Sequence, residues 1–147
     1  MNKQEKELLL KALCEGLLHG IKCKWVTKDT DLLGIMGDIA EVGYDINDYD
    51  VAAVEDIKPY LRPMSSMTEE ELKELKEETG LIYDYENGLD LAEFQNNYKC
   101  LDFYLSEAPS YVVVLVFDWL NKHHFDYRGL ISMGLALEAP EGMYKID

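Results

Sequence analysis

The apolar residues of this 147-residue chain change their spacing twice, and that change limits the folds open to it. Leu9, Leu10, Leu13, Cys14 and Leu17 recur at i, i+3 and i+4, the stripe of a helix docked on a core. Asn2 and Glu5 stand at capping-box spacing before it, and Gly20 supplies a left-handed stop, so a helix is predicted over 3–18. The period then falls to two. Ile21, Cys23 and Trp25 alternate with Lys22 and Lys24, which predicts a half-buried strand over 21–27. A turn is expected over 28–31, a second strand over 32–39, an exposed loop over 43–50 and a third strand over 51–57.

Pro59 and Pro63 then bracket an extended piece expected to leave the sheet, because a residue before proline avoids helical backbone. Helical spacing returns. Thr68 and Glu71 form a second capping box ahead of a mostly solvated helix that ends at Gly80. Asp90 and Glu93 suggest a third box before Leu91, Phe94, Tyr98, Leu101 and Leu105, which share one helical face. The valine-rich run 111–117 suits either a buried strand or a helix. Val112, Leu115, Val116, Trp119 and Leu120 carry helical spacing past the valines and favour helix over 110–124. Asp126 is expected to cap a short helix over 128–134, and 135–140 to form a closing strand. The fold class read from this pattern is α+β: an N-terminal helix, a small antiparallel sheet of about three strands and a helical C-terminal part. One domain is expected, with 1–57 as helix plus small sheet and 58–147 mainly helical.

Charge sets the limits on function. The chain carries 14 basic and 29 acidic residues, a net −15. Residues 29–56 hold nine acids and neither Lys nor Arg, and Lys99 is the single base between Lys76 and Lys122. Such a surface repels nucleic acid and anionic membranes, which argues against direct binding to either. The longest apolar run, 111–117, is far short of the ~20 residues that span a bilayer, and the charged start does not resemble a signal peptide. A cytoplasmic protein is expected. Cys14, Cys23 and Cys100 make no C-x-x-C pair and read as buried free thiols.

Catalytic and metal-binding patterns find little support. His123 and His124 are adjacent, so on a helix they point about 100° apart, whereas zinc helices place ligands at i, i+3 or i+4. One is expected to cap the helix C-terminus and the other to pack. A calcium loop counted from Asp45 puts Tyr49, Asp50 and Asp56 where an oxygen ligand, a glycine and a glutamate belong. Counted from Asp84, it puts Leu89 and Gln95 at the glycine and glutamate positions. No serine lies in a nucleophile elbow, and no glycine-rich phosphate loop is present. Arg62 could hold an anion, but pairing with one of the many carboxylates is the simpler reading. No cofactor is called for.

Two stretches are distinctive in wording. The first contains Pro59, Leu61, Arg62, Pro63, Met64, Ser65, Met67 and Thr68. The second contains His124, Phe125, Asp126, Gly129, Leu130, Ile131, Gly134, Leu135 and Ala136. They resemble segments of short proteins encoded by phages, prophages and genomes of gut Bacteroidales, over about a third of the chain. The resemblance implies a mobile-element context and brings no activity with it.

The function expected is therefore that of a non-enzymatic accessory protein that binds another protein with a basic surface, in one version as a DNA mimic. Ten tyrosines stand against four phenylalanines, many among acids, and rigid aromatic area beside charge suits a protein contact. The candidate contact residues are Tyr44, Asp45, Asp48, Tyr49, Asp50, Tyr83 and Tyr85. The alternative is a hydrolase or nucleotide-processing enzyme using a divalent metal held by carboxylates with His123 or His124.

Overall fold

The structure, a computed structural model, describes residues 1–45, 47–81 and 108–144. They form two compact units: Met1–Leu61 with Arg128–Asp147 (unit 1) and Arg62–Tyr127 (unit 2). The class is α+β.

Unit 1 begins with α1 (Lys3–Leu17). Asn2 accepts from the Glu5 backbone N–H at 2.8 Å, and the Glu5 carboxylate accepts from the Asn2 N–H at 3.1 Å. Leu9, Ala12, Leu13 and Gly16 form the buried face, while Cys14 is exposed, against the expectation of a buried thiol. Gly16 is needed there because a Cβ would lie 2.6 Å from the Ile21 Cδ1.

The sheet that follows has six strands, not about three. They are β1 (Lys22–Trp25), β2 (Lys28–Met36), β3 (Ile39–Asp45), β4 (Asp48–Ala53), β5 (Ile57–Leu61) and β6 (Leu137–Glu138). Their order is β4-β3-β2-β1-β5-β6, antiparallel except where β6 runs parallel to β5. Residues 28–31 are not a turn. They pair with β1, and Lys22 opposite Asp31 closes an ion pair at 2.8 Å, so the charges that suggested a turn meet across strands. The actual turn is Val26–Thr27, with Val26 at φ +58°.

The expected loop over 43–50 is likewise mostly strand, the end of β3 and the start of β4. The Asp45 carboxylate accepts from the Asn47 N–H at 2.7 Å and closes the hairpin. The proline-bracketed piece does not leave the sheet either. Pro59 stands opposite Cys23 within β5, and β6 begins only alongside Tyr60, so β5 has a single neighbour where it lacks a donor. The expected closing strand is present as β6, but 128–134 form turns instead of a helix. Gly129 and Gly134 at φ +75° and +76° interrupt helical backbone there. The unit's core joins Leu9 and Leu13 to Ile21, Cys23, Leu32, Val42, Ile57 and Leu130.

Unit 2 holds α2 (Glu69–Thr79) and α3 (Ser110–Lys122). Thr68 and Glu71 form the expected capping box, and Gly80 ends α2 in the left-handed region at φ +74°. Residues 111–117 are helical, with Val112, Val116, Trp119 and Leu120 buried in a core shared with Met64, Met67, Leu72, Leu75 and Phe125. The box at Asp90 and Glu93 lies outside the described residues.

The two distinctive stretches meet inside unit 2. The Arg62 N–H donates to the His124 carbonyl at 2.7 Å, and the Asp126 N–H donates to the Arg62 carbonyl at 2.8 Å. The guanidinium lies 4.2 Å from the centre of the Phe125 ring and donates to both Glu71 oxygens at 2.7 and 2.8 Å. Glu71 also accepts from the Thr68 N–H, so the residue that caps α2 anchors the arginine.

Candidate functional site

Of the seven candidate contact residues, five lie on one hairpin, β3–β4, while Tyr83 and Tyr85 fall outside the described residues. Gly43 shapes this hairpin. It sits at φ +152°, and a Cβ on it would come within 2.6 Å of the Asp48 carbonyl oxygen and 2.7 Å of the Tyr49 Cα. With no side chain in the way, the β4 backbone lies close against Gly43, and the β3–β4 register shifts between Gly43 and Asp45. Tyr44 is thrown out to 86% exposure. Tyr49 is 47% exposed, and Asp45, Asp48 and Asp50 are all exposed. Among the described residues, none of these three aspartates is in an ion pair.

A groove of about 530 Å³ runs beside the hairpin. Tyr44, Asp48 and Asp50 line it together with Trp25, Lys28 and Thr30, and the Lys22–Asp31 pair lies in its wall. The alternation of Ile21, Cys23 and Trp25 with lysines places Trp25 on the buried side of its strand, which hides Trp25 and Lys28 as groove residues, yet Trp25 is only half-buried. The two-residue turn that sets Trp25 opposite Lys28 was the signal that would have joined them. Asp29 at the groove accepts a hydrogen bond from the Tyr60 hydroxyl, and this bond, with burial, pushes that hydroxyl up to about 12. Below the sheet's surface, burial pushes the Cys23 thiol up to about 12, so it stays protonated near neutral pH.

The histidines sit elsewhere, in unit 2. His123 follows α3 as its C-terminal cap, its ring 4.1 Å from Trp119 and its Nε2 3.8 Å from a Glu74 oxygen. Burial lowers its pKa below the ordinary value in spite of the opposing pull of Glu74, so it is not a charged cap. His124 is buried at φ +62°. Among the described residues, no three His, Cys, Asp or Glu side chains gather where they could hold a metal ion. Arg62, the other candidate for an anion, is taken by Glu71. Among the described residues no helix is long and apolar enough to cross a membrane.

Compared with protein-family models, curated proteins and solved structures, the chain matches none.

Proposed function

We propose that this protein is a non-enzymatic accessory protein of a phage or mobile element that works by binding another protein, one with a basic surface, through the β3–β4 hairpin. The observation that carries the reading is the hairpin itself. Two exposed tyrosines and three aspartates without ion pairs among the described residues are held on a hydrogen-bonded two-stranded support. Aromatic area with few rotatable bonds gives a partner a low-entropy anchor. Carboxylates left without a counter-charge raise the association rate of a basic protein.

The test is a tagged pull-down from a Bacteroidales lysate, with wild type and a Tyr44→Ala/Asp45→Asn/Asp48→Asn variant compared at low and high salt. Wild type should retain a basic protein at low salt and release it at high salt, and the variant should not retain it. Equal capture by both proteins, or capture by neither, would overturn the reading. The acids of 29–56, which fall on β2, β3, β4, the turn between β2 and β3 and the 3-10 turn after β4, support a narrower form in which the carboxylates mimic DNA phosphates. Displacement of the captured protein by duplex DNA tests that form.

A further inference from the structure

We propose that the outer edge of β4 receives an extended peptide segment of the partner, one in which Lys or Arg alternates with apolar residues. This inference rests on the hairpin reading above and specifies its mode of binding. β4 ends the sheet, and among the described residues nothing pairs with its outer side. The Val54 N–H donates to the Asp38 carbonyl at 2.9 Å, which fixes the alternation of the β3–β4 ladder. Asp50 and Ala52 therefore direct their backbone groups to β3, while Tyr49, Val51 and Ala53 turn theirs outward. Three N–H groups and the Tyr49 and Val51 C=O groups stand ready for another strand, while the Ala53 C=O starts the 3-10 turn Val54–Asp56.

Side chains on β4 alternate in the same way. Asp48 and Asp50 share the face that borders the groove, and Tyr49 and Val51 share the other, where they are 47% and 57% exposed. A strand added here would set its own alternate residues beside these. Basic residues fit opposite the aspartates, and apolar residues fit opposite Tyr49 and Val51.

Charge also argues against a second copy of this chain as the occupant. β4 on β4 would bring aspartates against aspartates, in a protein of net charge −15. Exposed edges are commonly blunted by lysine, proline or shortness, and β6 at the other end of the sheet has only two residues. β4 has six residues with neither lysine nor proline. Its acids guard it against acidic or neutral strands and admit basic ones.

The probe is a fluorescent peptide of alternating Lys and Val, compared by anisotropy with a peptide of identical composition in which the lysines and valines form two blocks. Wild type should prefer the alternating peptide by about tenfold. Val51→Pro removes one outward N–H and leaves the bonds to β3 in place, so it should keep its melting temperature and lose the preference. If Val51→Pro disturbs the hairpin, Asp48→Asn/Asp50→Asn keeps the backbone and should lose the preference by removing the charges. Equal affinity for the two peptides overturns the inference, and so does a preference that survives these substitutions. If the preference is absent but the hairpin variant still loses its lysate partner, only the edge-pairing inference falls. If the lysate capture is also indifferent to the hairpin, both readings fall.

Discussion

Unit 1 keeps its charges at the surface, whereas unit 2 carries a charged pair into its interior. In unit 1 the Lys22 and Asp31 side chains of the β1–β2 pair are 41% and 48% exposed, and the core beneath is built from aliphatic side chains and Cys23. In unit 2 the Arg62 and Glu71 side chains are 11% and 4% exposed. Among the described residues, the buried polar ones, Glu71, Thr79, His124 and Asp126, all belong to this second unit. A surface pair trades water for water-like surroundings and adds little. A buried pair holds its neighbours to one geometry, because either charge left alone in the interior is costly. Unit 1 is therefore expected to tolerate charge changes that unit 2 does not.

The largest effect expected is at Glu71. Glu71→Ala strands the Arg62 guanidinium and should lower stability by about 3–5 kcal/mol in urea denaturation. Arg62→Met/Glu71→Leu, which removes both charges together, should recover most of that loss. If the double replacement is as damaging as the single, the pair is not what distinguishes unit 2. Acid sharpens the same point. Burial opposes ionisation of Glu71, but the hydrogen bonds from Arg62 and Thr68 outweigh it and hold the pKa below the ordinary carboxylate value. Its contribution is thus complete above the unfolded value, roughly pH 4, and is lost as pH falls through the folded one. The melting temperature of Glu71→Gln should accordingly fall less steeply with acid than that of wild type.

Next in size is Gly43→Ala in unit 1, expected to cost about 1–3 kcal/mol. The atoms its Cβ would meet are the Asp48 carbonyl oxygen and the Tyr49 Cα, backbone that cannot swing aside. Thermal melting should show the loss, with amide shift changes centred on β3 and β4. The smallest effect belongs to Lys22→Ala, expected below about 1 kcal/mol because its pair with Asp31 is open to solvent. A loss as large as that of Glu71→Ala would break the contrast between the units.

What could be read in advance was local. Asn2 with Glu5, Thr68 with Glu71, and Gly80 lie within one turn of the groups they satisfy, so their spacing announced two helices and their ends. The helix over 111–117 was legible because the apolar spacing outran the valines. The sheet was legible only in part. Residues 28–31 and 43–50 look like turns, since Lys, Asp and Gly are turn residues, and only pairing with β1 and across β3–β4 makes them strands. Asp126 looks like the cap of a helix, but 128–134 form turns, and its backbone N–H is held by the Arg62 carbonyl, far away in the chain. In the candidate site, composition pointed to Tyr44, Asp45, Asp48, Tyr49 and Asp50. Trp25 and Lys28 face each other across the two-residue turn at 26–27, and only the pairing of β2 with β3 brings them to the same groove as Tyr44 and Asp48.

The sequence by itself determined the N-terminal caps of α1 and α2, the left-handed Gly20 and Gly80, the apolar faces of α1 and α3 and the acidic surface, since each depends on residues a few positions apart or on composition alone. Tertiary structure decided that β5 runs between β1 and β6 despite its proline, that Arg62 meets Phe125 and Glu71, and that β4 is left at the edge. Those outcomes depend on which distant segments bury one another's apolar faces and satisfy one another's backbone groups. That choice is made by the assembled chain as a whole.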